Sequence, residues 1–389
     1  MKRRLCVLIL AGTLVIPGVP ALAAGEEIIT QTTADAEEVA DDASALAEIQ
    51  ALSCYDAEEE EDGLLTLEDA VQRVLRNSTE LKKSATSLDL LEDQVALAGI
   101  SLTYSSEGSD LSDAANLVSQ QISLQNSRLS QQEQEEVLAF STEQAYADLI
   151  LREREIDVAE ASLALAQQEL NIARIQQEMG QISTQEYEAQ QRSFAQSQTE
   201  LQQQKSELEQ SYIAFNLSMG LDVDTRYSLE LPVTYEAYEL EIPLESYVTS
   251  KASGLSSIRR AKKTLEATRV TTNATKATGT EVGSYAQAEA EYSSAVMDLD
   301  DSLEAAEQSI RTAYYDLMNA QTTIEQQIEA LAALEQSLET AELQLEMGQT
   351  SVLSVEEARQ NIAEAQVQLL SALYTYDQKK TQFENPDLL

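Results

Sequence analysis

Histidine and tryptophan are absent from this sequence, and cysteine, proline and glycine are scarce, at 2, 5 and 12 of 389 residues. Without histidine there is no Ser-His-Asp or Cys-His machinery and no His-ligated zinc or iron site. No glycine-rich phosphate loop or clustered metal-ligand spacing accompanies the scattered carboxylates. The reading is therefore a non-enzymatic chain with no catalytic residue, cofactor or metal. Lys and Arg number 25 against 68 Asp and Glu, a formal charge of −43. That excess argues against nucleic acid and anionic lipid as partners, since both need basic faces. Aromatic residues make up 5%, and with so few turn formers a β-sandwich or α/β enzyme is disfavoured. What remains is a protein of long helices.

Residues 1–23 read as a cleaved signal peptide. Lys2, Arg3 and Arg4 precede an apolar run from Leu5 to Ile16, and Ala21-Leu22-Ala23 supplies small residues for cleavage. The run is shorter than the roughly 20 residues of a membrane span, and Pro17 and Pro20 interrupt the sequence just beyond it. Export removes three positive charges, taking −43 to −46, and leaves Cys54 without an intrachain partner. Residues 24–63 are acidic, ending in Glu58-Glu59-Glu60-Glu61-Asp62-Gly63, and read as a disordered tether with at most a short helix over 37–52.

The strongest signal is a duplication. Ala145-Tyr146-Ala147-Asp148-Leu149 returns as Ala313-Tyr314-Tyr315-Asp316-Leu317, and Glu178-Met179-Gly180-Gln181 as Glu346-Met347-Gly348-Gln349. Both pairs share one offset, and it is a whole number of heptads (24 × 7), so a heptad phase survives the copy. Upstream, Leu67-Glu68 aligns with Leu244-Glu245 at an offset larger by nine, placing a length change near residues 100–136. The copies span 64–231 and 232–389, with Pro232 and Pro243 at their junction.

Apolar residues in each copy keep 3-4 spacing. Ile156, Ala159, Leu163, Ala166, Leu170 and Ala173 form one seam, copied as Ile324, Gln327, Leu331, Leu334, Leu338 and Ala341. A second seam, Val158, Ala161, Leu165, Ile172, Ile175 and Met179, allows the first helix two neighbours. The second copy keeps it weakly, with Gln326 and Glu329 in place of Val158 and Ala161. From Val137 to Met219 the only glycine is Gly180, and from Ser284 to Asn385 it is Gly348. A lone glycine there suits the φ > 0 position that closes a helix. Ser183-x-x-Glu186 and Ser354-x-x-Glu357 follow as capping-box candidates. Each copy is expected to hold a long antiparallel coiled-coil hairpin, its arm over 137–179 about 65 Å long. Shorter helices precede at about 67–98, capped by Thr66, and at about 244–275.

These residues resemble the TolC-like outer-membrane efflux family. Leu65-Thr66-Leu67-Glu68-Asp69-Ala70-Val71, with Asn77 and Glu80-Leu81, is similar to its first-helix signature. The Ala-Tyr-x-Asp-Leu blocks look like its long-helix starts, and the stretch from Glu346 to Val355 like its hairpin tip. The likeness covers roughly 64–385. It implies an all-α tunnel body of TolC-like protomers, a homotrimer forming a twelve-helix tunnel with a membrane-embedded β-barrel at its outer end, and a location in the cell envelope at the outer membrane. It also implies docking of a periplasmic adaptor (membrane fusion protein), which joins the duct to an inner-membrane transporter. By the same resemblance Met179, Gly180, Gln181, Met347, Gly348 and Gln349 are the docking tips, and Glu186 and Glu357 candidate constriction acids. The alternative for both acids is a helix N-terminal carboxylate.

One departure stands out. A barrel strand needs about 9–11 alternating residues. The candidates, Ile100 to Ser106 in one copy and Asn273 to Ala290 in the other, are too short or lack alternation. The expectation is a barrel-less variant without direct membrane insertion, associated with wall or surface. A structural coiled-coil scaffold of the cell surface, without transport, is the other use of such a body.

Overall fold

The computed structural model describes residues 54–55, 63–103, 110–231, 233–277 and 282–389. The leader, most of the acidic stretch and the short helix expected over 37–52 lie outside the described residues. A two-residue strand β1 (Cys54–Tyr55) is followed by α1 (Leu67–Asn77), α2 (Thr79–Thr103), α3 (Asp110–Glu178) and α4 (Thr184–Met219). Then come β2 (Leu229–Glu230), α5 (Leu244–Gly254), α6 (Ser256–Ala277), α7 (Val282–Glu346) and α8 (Val352–Glu384). A 3-10 turn, Pro386–Leu388, comes after α8. The fold class is all-α, and the order of two shorter helices, a long arm and a returning helix in α1–α4 recurs in α5–α8.

The helices the sequence places at 67–98 and 244–275 are each broken in two. The breaks fall at Ser78 and Leu255, equivalent positions in the two copies, which adopt extended ψ values of 119° and 142°. Thr66 caps α1 as expected, accepting from Asp69 N at 3.2 Å. The start of α6 is capped from far away: Ser256 N donates to Asp387 Oδ1 at 2.7 Å, so the 3-10 turn closes that helix.

The long arms begin earlier than expected. α3 has 69 residues and α7 has 65, so each is roughly 100 Å long. The Ser- and Gln-rich sequence from 110 to 136 is helical because it holds no glycine or proline and still presents Ala115 and Leu124 to the core. Ile100 to Thr103 belong to α2, which overturns the strand candidate there; 104–109 are outside the described residues. Residues 273–277 and 282–290 are likewise helical. Where a barrel hairpin was sought, each copy has a helical one, α2–α3 and α6–α7. The length change also falls here, since α2 has 25 residues against 22 in α6, and α3 four more than α7.

Packing produces a sheet of helices. On the tip side the order is α4, α3, α8, α7; on the far side it is α2, α3, α6, α7. α3 therefore has two neighbours along much of its length, yet only Val158 and Leu165 of its second seam are half-buried, and Ala161, Ile172, Ile175 and Met179 stay exposed. α7 has one within the chain, in keeping with the exposed Gln326 and Glu329. Two apolar cores lie at mid-height. The larger surrounds Phe383, fully buried against the rings of Tyr247 (4.6 Å), Tyr314 (5.5 Å) and Tyr238 (5.6 Å). The smaller holds Tyr146, Phe215 and Leu229. There the Tyr146 hydroxyl lies 2.6 Å from Leu65 O and accepts from Glu230 N at 3.0 Å, tying the β1–β2 segment to α3. Among the described residues no helix is long and apolar enough to cross a membrane.

Candidate functional site: the hairpin tips

Each long helix ends in the same turn. Gly180 has φ 75° and Gly348 φ 70°. Gly180 N donates to Gln177 O at 3.0 Å and Gln181 N to Gln176 O at 2.8 Å. In the second copy Gly348 N donates to Leu345 O at 2.9 Å and Gln349 N to Gln344 O at 2.8 Å. These paired bonds form the Schellman motif, which needs the left-handed φ that glycine adopts without a Cβ penalty. A Cβ at either glycine would meet nothing within 4 Å, so conformation alone selects glycine.

The returning helices differ in their caps. Ser183 caps α4 in a full capping box: Glu186 N donates to Ser183 Oγ at 3.2 Å, and Ser183 N to Glu186 Oε2 at 2.7 Å. That backbone hydrogen bond, with the one from the Ser183 side chain, holds the Glu186 carboxyl below its usual range. In the second copy the cap is Ser351, accepting from Ser354 N at 3.1 Å, and α8 starts at Val352. The expectation of a Ser354-x-x-Glu357 box is thus corrected. Ser354 occupies the place that Glu186 holds in the first copy, and Glu357 falls exposed in the second turn. One candidate acid is part of a cap and the other is not.

The six tip residues are all exposed, and apolar side chains stand before each glycine. Met179 is 60% and Met347 63% exposed, with Ile175 and Leu343 one turn earlier at 49% and 53%. α3 and α8 run antiparallel, with Gln360 Nε2 donating to Val158 O at 3.0 Å and Asn385 Nδ2 to Glu136 Oε2 at 3.0 Å. Both tips therefore lie at one end, each with the same Ile/Leu-x-x-x-Met-Gly-Gln surface. Sequence reading missed a third closing glycine, Gly220 at φ 73°, which ends α4 against the Asn77 side chain. It also missed the buried Glu153 and the exposed Tyr315.

Duplicated helical hairpins arrayed as a sheet, with glycine-closed tips at one end, define the TolC-like protomer fold, and the chain has it. Solved structures agree. The CusC structure, described by conformational changes accompanying folding and transmembrane channel formation, superposes at TM-score 0.62 and 14% identity. The overlap covers 83% of this chain and 91% of that one. The outer membrane protein VceC of Vibrio cholerae gives 0.63 and 14%, covering 82% and 96%. The CmeC outer membrane channel of Campylobacter jejuni gives 0.55 and 11%, covering 83% and 85%. No family model and no curated protein matches the sequence.

Proposed function

We propose that this chain is a subunit of an efflux or secretion duct, a closed ring of helices that conducts substrates through the cell envelope outside the plasma membrane. One observation carries the reading: the contact between the two copies is heterologous, α3 against α8, and leaves α4 and α7 as complementary open edges. Repeating that contact between molecules closes a ring when the rotation fits. Four helices per chain make three copies the count for a twelve-helix tunnel.

The duplication identifies the surfaces. Ala147 on α3 is buried in the core shared with α8, whereas its equivalent in the second copy, Tyr315 on α7, is 59% exposed. Tyr315 thus faces α4 of the next copy. On α8, Val367, Leu370 and Tyr374 lie on the side of Gln360 and Asn385, toward α3. Their counterparts on α4 are the exposed Thr199, Gln202 and Ser206, so the contact between copies is polar.

In this reading the tips, Met179-Gly180-Gln181 and Met347-Gly348-Gln349, dock the adaptor through their exposed methionines. Adaptor and inner-membrane transporter complete the path. Glu186 and Glu357 place carboxylates near the tip opening, where they favour cations. Mass measurement on the mature protein at micromolar concentration tests the reading. A trimer is expected, weakened by Tyr315→Lys; a stable monomer overturns it.

A further inference from the structure

Three polar side chains are buried among the described residues: Thr142, Asn216 and Glu153. Thr142 Oγ1 donates to Leu138 O at 2.7 Å. Asn216 donates to Thr225 O at 2.9 Å and accepts from the Tyr227 hydroxyl at 3.0 Å. Glu153 is the exception. Its Oε1 accepts from the Tyr212 hydroxyl, while Oε2 is buried with no hydrogen-bond partner. An ionised carboxylate leaves charge on that oxygen with no donor, whereas the neutral acid leaves only an unpaired hydroxyl, at far smaller cost.

The surroundings are specific to this root of the first hairpin. Arg154 and Asp157 on α3, Tyr212 on α4, and Arg226 and Tyr227 from the segment before β2 act on Glu153, and Glu209 on α4 pairs with Arg226. Arg226 lies 4.7 Å above the Tyr212 ring and pairs with Glu209. Burial pushes the Glu153 carboxyl up from 4.5 to about 7, outweighing the Tyr212 hydrogen bond and the positive charge of Arg154. In the second copy the equivalent residue is Gln321, which cannot ionise and whose Oε1 accepts from Tyr238 N at 3.2 Å. Only the first hairpin therefore carries a carboxyl at this position.

We propose that Glu153 is a proton-operated latch of the first hairpin. Neutral, it lets the end of α4 and the Arg226–Tyr227 segment seat on α3; ionised, it loosens that seat. The second hairpin, with Gln321, stays closed at either pH. The inference stands whether or not the chain forms a duct.

The direction follows from linkage. An acid whose value is raised in the closed form holds its proton there between about 4.5 and about 7, where the opened form has lost it. Opening becomes easier as pH rises through that window and levels off above it.

Hydrogen exchange of the full chain, followed by mass spectrometry from pH 5 to pH 8 and corrected for intrinsic rates, provides the test. Peptides over 208–219 and 223–228 should lose protection by roughly a hundredfold, while 376–384 should not. Glu153→Gln should abolish the difference. An equal change in both hairpins, or none in either, overturns the latch, and so does a pH step that survives in Glu153→Gln. Should that variant fold poorly, the comparison of the two hairpins in the unmodified chain decides alone.

Discussion

α4 and α8 are the same helix in two settings. Each returns from a glycine tip along a long partner, and Phe215 and Phe383 occupy one position of the repeat. α8 buries nine side chains because α3 and α7 flank it, whereas α4 buries four, all in its last two turns. The difference is one of position in the sheet rather than of helix-forming tendency. An interior helix needs two apolar faces, as Leu369 and Leu370 show by being buried side by side. An edge helix needs one, and its other face carries Gln202 and Ser206. The face α8 turns to its neighbours is apolar, and the face α4 leaves open is polar.

The largest expected effect that probes this contrast is Phe383→Ala, which removes a ring packed against three others and should cost about 3–5 kcal/mol. Phe215→Ala, whose ring contact is Tyr146 at 6.3 Å, should cost clearly less. Thermal unfolding by circular dichroism measures both, and equal losses would erase the distinction between interior and edge. Next comes Gly220→Ala. A Cβ there lies 3.0 Å from Asn77 Oδ1 on top of the strained φ, so about 2 kcal/mol or more is expected. Gly180→Ala and Gly348→Ala meet open space and should each cost about 1 kcal/mol, the same in both copies, because tips do not feel edge or interior. Chemical denaturation resolves that ranking, and a costlier Gly348 would show that the second tip is packed. The smallest difference concerns the caps. Ser183→Ala breaks a reciprocal pair and should cost about 1 kcal/mol, with Ser351→Ala below it. Protection of the first turns of α4 and α8 against exchange reports on each.

Much of this was legible in the sequence. The heptad-preserving register, the tip glycines and the weak second seam of α7 are all local or periodic signals. Extending the register one step further would have corrected the cap, since Ser183 maps to Ser351 and not to Ser354. The early start of α3 was hidden because residues 110–136 are rich in serine, which pattern reading assigns to loops. In the fold Ser119 turns its hydroxyl back to Ala115 O at 2.9 Å, and the helix continues. Glu153 was invisible for another reason. It sits in Arg152-Glu153-Arg154-Glu155, which reads as a solvated face, and only Tyr212, far along the chain on α4, shows that it is covered. The helix break at Ser78 carries no glycine or proline, whereas the one at Leu255 follows Gly254, a mark that goes unseen when the periodic pattern is read straight across it.

The two unbroken rods, α3 and α7, also act as a ruler. They fix the separation between the tips and the opposite end at roughly 100 Å, and the shorter helices merely fill the space beside them. Between the conserved blocks the copies keep one heptad phase, so an insertion in the part of either rod beside α8 shifts its seam unless it is a whole number of heptads. The length of the rods beside α8 therefore changes without disturbing the packing only in whole heptads, added to both. The distance from the tips to the mid-height cores is thus written into the chain as a number of turns, and it changes only in matched steps.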